Sequence, residues 1–185
     1  MEWYNLLVPE IRSYIREAGF KPIFSLLPEK SASATLVQCL IERWWDTTHT
    51  FHIAEREMMV TPYDFHCMTG LSFEEAIINL DGVSGVQVSL DMLGRKYCTE
   101  TIRYFDLVSD YMLLPQRTIE ERVRMAKVFL LHLLGAYLFT NGGQTVSLRW
   151  LTLFKDFVDA RRANWGYACL AYLYFSLDTF SRVTL

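Results

Sequence analysis

The stretch TIEERVRMAKVFLLHLLGAYL, residues 118–138, is the strongest indication of the fold. Thr118 is a suitable N-cap residue, and Glu120 and Glu121 place negative charge in the first turn, where the helix dipole stabilises it. The apolar residues recur at three- and four-residue spacing, on one helix face: Val123, Ala126, Phe129, Leu130, Leu133, Leu134, Tyr137 and Leu138. Because this face is wider than a coiled-coil seam, we expect the helix to pack against several others.

Similar apolar spacing predicts helices on both sides of this stretch. Pro22 and Pro28 are expected to prevent a helix from starting directly after the first one, and Ser31 or Ser33 is expected to cap the second. Residues 81–94 contain three glycines and predict a loop that holds one small strand at most. The second helix is expected to run from one of these serines through residue 45, and further predicted helices cover residues 6–18, 101–112, 148–160 and 166–180.

A change of composition between residues 48 and 60 predicts a small β-hairpin. Its first strand is expected in a segment rich in β-branched and aromatic side chains, and its second follows a short polar link. Thr61 then supplies an N-cap, and Asp64 a carboxylate, for a short helix that is expected to stop at Gly70. The sequence therefore predicts a mainly α fold, a globular multi-helix bundle with one small β-hairpin at about residues 48–60.

The composition predicts a folded domain without a large charge surplus. Of the 185 residues, 51% are hydrophobic, 15% aromatic and 21% charged, which excludes a disordered tail or an acidic activation region. The formal net charge of −3 argues against a domain whose main role is to hold phosphate backbones. The longest apolar run is too short to span a bilayer, so we expect a soluble protein with no membrane association.

Histidine and cysteine are the residue types that raise the question of a metal site. His49, His52 and His66 lie close in sequence, and Cys67 follows the last of them. In a strand, however, His49 and His52 would face opposite sides, and adjacent helical residues such as His66 and Cys67 diverge by roughly 100°. The pattern therefore favours local hydrogen bonds and no metal site.

No residue pattern predicts catalysis. The four cysteines are widely spaced, which indicates reduced thiols in an intracellular protein, and Cys67 is expected to be packed in the interior rather than activated by a base. The carboxylate pairs Glu74–Glu75 and Glu120–Glu121 are typical of solvated helix positions. The sequence contains neither a phosphate-binding glycine motif nor a nucleophile elbow. We therefore predict no catalytic residue, no cofactor and no enzyme.

The predicted C-terminal helix is apolar on all sides. Tyr167, Tyr172, Tyr174 and Phe175 lie within nine residues of one another. A helix of this kind is either central to its fold or covered by a partner. The pattern favours a protein that packs against something beyond itself.

Blocks of sequence in both halves of the chain share an order and a spacing with a known family. ERW at residues 42–44 is followed by THTFH at residues 48–52. The second half contributes LLG, LRWL and WG, at residues 133–135, 148–151 and 165–166. Over roughly residues 35–180 these blocks resemble the plant mobile domain. The positions that match are Trp44, Thr48, His49, Thr50, Phe51, His52, Glu57, Thr61, Asp64, Gly70, Gly135, Arg149, Trp150, Asp156, Trp165, Gly166 and Tyr174.

The resemblance implies a function for the chain. It implies a non-enzymatic nuclear protein-interaction domain with a role in transposable-element silencing, gene expression, genome integrity and meristem maintenance. The partner that it implies is a plant type-7 phosphatase-like protein. The alternative is a nucleic-acid-binding module derived from a transposon, which the net charge does not favour. The oligomeric state stays open.

The resemblance also implies a domain boundary and a core. Domains of the family usually continue further, so residues 1–185 are expected to form a single domain that is the N-terminal portion of a longer one. The hairpin turn at residues 54–57 lacks the glycine that the family has there. The matched residues are expected to be mostly structural. The residues expected in the core are Trp44, Phe51, Leu133, Trp150, Trp165 and Leu170.

Overall fold

Helices make up most of the chain. The computed structural model describes residues 2–26, 32–73 and 77–184, in which the helices are accompanied by small antiparallel sheets. The prediction of a mainly α fold is therefore confirmed. The elements of the first half are α1 (Glu2–Leu6), α2 (Pro9–Glu17), α3 (Lys21–Leu26), α4 (Ala34–Ile41), β1 (Trp44–Trp45), β2 (Thr50–Ile53), β3 (Arg56–Met58) and α5 (Pro62–Thr69). The elements of the second half are α6 (Gly85–Leu93), β4 (Thr101–Arg103), α7 (Tyr104–Tyr111), α8 (Ile119–Leu133), a π-helical turn (Leu134–Leu138), β5 (Thr145–Ser147), a 3₁₀ segment (Leu148–Phe154), α9 (Phe157–Arg162) and α10 (Trp165–Thr184).

The chain divides into two compact units. Unit 1 consists of Met1–Lys21 and Glu75–Ala163, and unit 2 consists of Pro22–Glu74 and Asn164–Leu185. The expectation of one domain over residues 1–185, continued beyond them, stays a prediction.

Unit 1 contains the long helix that residues 118–138 predict. The Glu121 N–H donates to the Thr118 hydroxyl at 3.2 Å, and the Glu121 carboxylate accepts the Thr118 N–H at 3.0 Å. This capping box satisfies two backbone donors at the start of α8. α8 packs against α2, α7 and the 3₁₀ segment. Its buried residues are Met125, Ala126, Val128, Phe129, Leu130, Leu131 and Leu133.

The helix predicted over residues 6–18 is divided in two. Pro9 begins α2, and Val8 before it has an extended backbone with ψ of 157°. The proline ring disfavours the helical conformation of the residue that precedes it. The prediction of one continuous helix was therefore wrong at Pro9.

Residues 81–94, which were predicted as a loop, contain α6. The Ser84 hydroxyl accepts the Gln87 N–H at the start of the helix, and Gly94 ends it with φ of +68°. Glycine is favoured at such a left-handed stop because it has no Cβ. Gly85 and Gly94 therefore mark the two ends of a helix.

A two-stranded sheet in unit 1 was not predicted. β4 and β5 pair antiparallel, with Ile102 opposite Val146. The first three residues of the segment predicted as helix over 101–112 are therefore a strand, and the helix begins only at Tyr104. Residues 101–103 favour a strand because β5 supplies the backbone partners that a helix would otherwise provide.

The helix predicted over residues 148–160 is also two elements. The Asp156 carboxylate accepts the N–H groups of Val158 and Asp159, at 2.7 and 3.1 Å, and so starts α9 as a separate helix. The preceding residues form the 3₁₀ segment. The Asp156 side chain bonds to backbone N–H groups that a continuous helix would use, so the two arrangements compete and the segment is divided.

Trp44 and Trp45 lie in a strand rather than at the end of a helix. β1 pairs antiparallel with β2, so that Trp44 is opposite Phe51. β2 pairs with β3 around Ala54 and Glu55, whose φ angles are +51° and +61°. Two residues with positive φ are typical of a two-residue hairpin loop, so the turn forms without a glycine. The predicted hairpin is confirmed, and β1 adds a third strand.

Proline does not prevent a helix between the first two predicted ones. α3 includes Pro22 in its first turn, where the missing N–H would have no helical partner. That prediction was therefore wrong. α5 begins after Thr61 and ends at Gly70, with φ of +65°, as predicted. Other predicted features lie outside the described residues: Pro28, Ser31 and Glu74–Glu75.

Most of the residues expected in the core are buried. Those with little exposure are Trp44, Leu133, Trp165 and Leu170, whereas Phe51 and Trp150 are half-buried. Cys67 is exposed, so its predicted packing was wrong. The reason is that α5 has no buried residue at all.

The close approach of the π-helical turn to β5 allows a test of packing in unit 1. A Cβ added to Gly135 would lie 2.7 Å from the Cβ of Val146. Gly135→Ala is therefore expected to lower the free energy of unfolding by about 1–3 kcal/mol, as overpacking does. Urea denaturation measures the change. Gly142→Ala is the control, because a Cβ there meets no atom within 4 Å; equal losses in both variants would contradict the packing account.

The aromatic surroundings of His132 predict that the free energy of unfolding depends on pH. Its ring centroid lies 5.1 Å from that of Trp3, and burial among such rings lowers the pKa of His132. His132 then binds a proton more readily in the unfolded chain than in the folded one. Its contribution to stability is therefore complete above about pH 6.5 and is lost as the pH falls below that value. The loss is at most about 1.4 kcal/mol per pH unit for this group. Denaturation at pH 7.5 and 5.5 tests this. The loss should be smaller in His132→Gln; an unchanged loss would contradict it.

Candidate interaction surface

One carboxylate in unit 2 holds two residues of the THTFH region. Asp178, on α10, accepts the indole N–H of Trp44 through Oδ1 at 2.7 Å. Its Oδ2 lies 3.2 Å from Nε2 of His49. Hydrogen bonds to a charged group contribute about 1.5–3 kcal/mol each. Trp44 in β1 and His49, in the turn between β1 and β2, are therefore both fixed to the same helix.

Tyr174 completes this group one turn earlier on α10. Its hydroxyl donates to the Val60 carbonyl at 2.6 Å, and its ring stacks on His49 with centroids 5.4 Å apart. Burial raises the pKa of Tyr174, which keeps the phenol protonated as the donor. Trp44, His49, Tyr174 and Asp178 are called the Asp178 cluster below.

His52 lies in β2 and His66 in α5, as predicted, whereas His49 does not lie in a strand. His49 has φ of +53° and lies in the turn before β2, so the alternation argument about strand faces does not apply to it. His52 stacks on Trp45, with centroids 4.4 Å apart, and its Nε2 lies 3.8 Å from Glu57. His66 makes a contact of 2.7 Å to the Leu71 carbonyl. Among the residues that the structure describes, no three His, Cys, Asp or Glu side chains gather as a metal site would require.

Other matched residues of unit 2 lie in the small sheet, at turns and at helix ends. The Thr48 and Thr50 hydroxyls are 2.7 Å apart, beside the turn that holds His49. Asp64 accepts the Thr61 N–H at 3.0 Å in the capping box of α5. The Gly166 N–H donates to the Ser72 carbonyl at 2.8 Å, and an added Cβ there would meet Phe73.

The matched residues of unit 1 form a separate set. Arg149 lies 3.5 Å from Glu100, whose carboxylate accepts the Gly85 N–H at the start of α6 at 2.6 Å. This bond lowers the pKa of Glu100. Trp150 stacks on Phe139, with centroids 4.8 Å apart. Together with Gly135 and Asp156, these residues lie within unit 1 and outside the Asp178 cluster.

Sequence reasoning missed the acidic partners of both sets. Asp178 is 134 residues from Trp44, and Glu100 is 49 residues from Arg149. No local spacing connects them. One signal was present for Asp178: it is the sole charged residue between residues 165 and 181.

Unit 2 exposes apolar side chains on two helices. α4 has no buried residue, and Leu36 is 58% exposed. On α10, Tyr167 and Phe175 are 65% and 66% exposed, whereas Tyr174 and Asp178 are half-buried. The exposed large apolar residues of unit 2 are Leu26, Leu36, Val37, Trp45, Met58, Met59, Tyr63, Met68, Tyr167, Phe175 and Phe180. Surfaces of this kind are typical of interaction sites.

A model of the plant mobile domain family matches residues 24–184. The chain belongs to the plant mobile domain family.

Curated relatives of this plant mobile domain chain come from Arabidopsis thaliana. Protein MAIN-LIKE 2 is 31% identical to it, over 97% of this chain and 28% of the relative. Protein MAINTENANCE OF MERISTEMS is 29% identical, over 91% of this chain and 37% of the relative. Serine/threonine-protein phosphatase 7 long form homolog is 28% identical, over 81% of this chain and 12% of the relative. The chain thus spans well under half the length of these relatives.

No solved structure matches the chain. The family match nonetheless covers all of the Asp178 cluster and both exposed helices of unit 2. No helix in the described parts of this plant mobile domain is long and apolar enough to cross a membrane.

The Asp178 cluster predicts a stability effect in unit 2. Asp178→Ala leaves the indole N–H of the buried Trp44 and the imidazole of His49 without their acceptor. The free energy of unfolding is expected to fall by about 2–4 kcal/mol, measured by urea denaturation followed by tryptophan fluorescence. Thr179→Ala, at the next and exposed position, should change it by less than about 0.5 kcal/mol. A similar loss in both variants would show that the carboxylate has no special role.

Proposed function

We propose that this plant mobile domain is a non-enzymatic protein-interaction domain that acts in the nucleus. Its proposed roles are transposable-element silencing, gene expression, genome integrity and meristem maintenance. The observation that supports the interaction role most is α4, an eight-residue helix of mostly apolar sequence without a buried residue.

α4 is exposed in a way that a partner would explain. Isolated helices of this length are marginal in water, and most helical stability comes from packing of an apolar face. Leu36 and Val37 are both exposed on α4. Full burial of such a side chain contributes about 1.5–3 kcal/mol, so a partner that covers the helix would stabilise it considerably.

The exposed face of α10 supplies the kind of residue that dominates binding energy. Tyr167 and Phe175 lie two turns apart, with the small Ala171 between them. Aromatic residues are enriched among interface residues whose loss weakens binding most. Asp178, the one charged residue between residues 165 and 181, accepts the Trp44 indole N–H with its carboxylate.

The absence of an enzymatic role is proposed from what the polar groups of the Asp178 cluster do. The Trp44 indole N–H and the Tyr174 hydroxyl each donate one short hydrogen bond within unit 2. Asp178 faces both Trp44 and His49. These groups are engaged with one another and with backbone, in the manner of a structural network.

The proposed partner is a plant type-7 phosphatase-like protein. Support comes from the relative named phosphatase 7 long form homolog, which contains a segment similar to 81% of this chain. The proposed domain over residues 1–185, as the N-terminal portion of a longer one, would provide the surface for that partner.

The second candidate is a nucleic-acid-binding module derived from a transposon. The described residues of unit 1 include 14 Lys and Arg against 12 Asp and Glu, whereas those of unit 2 include 3 against 6. A modest basic surplus is therefore confined to unit 1. Proteins with many phosphate contacts lose about 10³–10⁵-fold in affinity for DNA between 50 and 200 mM salt. A similar loss of affinity for duplex DNA by this chain would favour this candidate.

Light scattering after size exclusion tests the proposed partner. The chain and the plant type-7 phosphatase-like protein are expected to form a stable heterocomplex. Phe175→Ser and Leu36→Ser, both in unit 2, should weaken the affinity by about tenfold or more each, because each removes roughly 1.4 kcal/mol or more of apolar contact.

Matched controls in unit 1 distinguish specific binding through this surface from non-specific hydrophobic association. Phe105→Ser and Leu113→Ser also remove exposed apolar side chains, but in unit 1. They should leave the affinity unchanged. Separate elution of the two wild-type proteins at micromolar concentration, or equal weakening by the unit 1 variants, would refute the proposal.

A further inference from the structure

Unit 2 contains a pocket where α4, β1 and the last turns of α10 meet. Its volume is about 190 Å³. The residues that line it are Ile41, Glu42, Trp44, Trp45, Asp46, Ser181 and Arg182.

The size of the pocket suits a single side chain. One water molecule occupies about 30 Å³ of liquid, so the pocket is several times larger than a water site. Sites for small molecules and cofactors have about 300–1,000 Å³. The pocket is smaller than these, and a side chain presented by a peptide is the better fit.

The lining combines an exposed indole with two carboxylates. Trp45 is 56% exposed and is held by stacking on His52. Glu42 accepts a hydrogen bond from the Gln38 amide at 3.0 Å, and within the described residues it has no cationic partner. An indole beside carboxylates is a favourable environment for a guanidinium group, which stacks on aromatic faces and donates to oxygen.

A guanidinium already occupies one side of the pocket. Arg182 donates from Nε to Oδ2 of Asp46 at 2.8 Å. The arginine is 67% exposed and the aspartate 31% exposed, so their pairing is weak and open to competition. The contact shows that the site accepts this chemistry. Two carboxylates and one guanidinium give the lining a net negative charge, which disfavours an anionic ligand.

The exposed face of α4 leads into this pocket. Val37 is one turn before Ile41, which lines the pocket, so the two lie on the same face of α4. Val37 is exposed. A peptide with a basic residue in the pocket would therefore lay a neighbouring apolar residue on Val37.

We propose that this pocket binds an arginine side chain of a partner peptide that also carries an adjacent apolar residue. The inference rests on the proposed function, in that unit 2 is taken as the interaction surface, and it adds the chemistry of the partner. Charge complementarity supports it, because the described residues of unit 2 include twice as many acidic as basic residues.

Two short peptides serve as probes: Gly-Ser-Leu-Arg-Leu-Ser-Gly with blocked ends, and the same peptide with glutamate in place of arginine. Each is added to the ¹⁵N-labelled full chain, and the indole N–H signal of Trp45, assigned with Trp45→Phe, is followed by NMR. The arginine peptide is expected to shift this signal to saturation, and the glutamate peptide to leave it in place. Equal effects of both peptides, or no shift with arginine at millimolar concentration, would overturn the proposal.

Variants of opposite expected effect separate binding from folding. Glu42→Gln combined with Asp46→Asn should lower the affinity for the arginine peptide by about tenfold. Asp81→Asn, an exposed control in unit 1, should leave this affinity unchanged. Arg182→Gln frees Asp46 from its internal partner, so it should tighten binding. A weakening by Arg182→Gln, or by the control as much as by the double variant, would overturn the proposal.

The outcomes also separate this inference from the proposed partner. Peptide binding without a complex with the phosphatase-like protein would support the arginine pocket and refute only that partner. A complex that tolerates the double variant, together with no peptide binding, would refute only the pocket.

Discussion

The carboxylate of Asp178 accepts the indole N–H of Trp44 and faces the imidazole of His49, and the rest of unit 2 depends on this arrangement. Trp44 lies in β1, and His49 lies in the turn between β1 and β2. One side chain of α10 therefore holds both the strand and the turn, and Tyr174 adds a bond to the Val60 carbonyl after β3. A small sheet of two- to four-residue strands has little stability of its own, so its attachment to a long helix explains why it holds a defined shape.

The same arrangement explains how unit 2 can leave apolar surface exposed. Tyr174 and Asp178 hold the sheet to α10 and are half-buried, while Tyr167 and Phe175 on the same helix are exposed. Stability and display thus use different residues of one element. α4 extends the exposed surface, because it has no buried residue. Matched family residues such as Gly135 and Arg149 contribute to unit 1 instead, so the family pattern describes two local structures rather than one site.

Sequence predicts this structure well where the cause is local. The Thr118 and Thr61 caps, the stop at Gly70 and the hairpin all depend on residues within a few positions of one another. The division at Pro9 was also present in the sequence, as a proline that disfavours helix before it. The Asp178 cluster could not be predicted, because Trp44 and Asp178 are brought together only by the fold. For the same reason Trp44 and Trp45 were assigned to a helix, although strand pairing with β2 decides their conformation.

Hydrogen–deuterium exchange tests the central claim, that unit 2 displays an apolar surface for a protein partner. In the chain alone, the amides of α4 should exchange fast and those of α8 slowly, because local opening is easiest where few apolar contacts are buried. Addition of the plant type-7 phosphatase-like protein should slow exchange in α4 and in the exposed part of α10, and leave α8 unchanged. Protection confined to unit 1, with α4 still exchanging fast in a formed complex, would contradict the account.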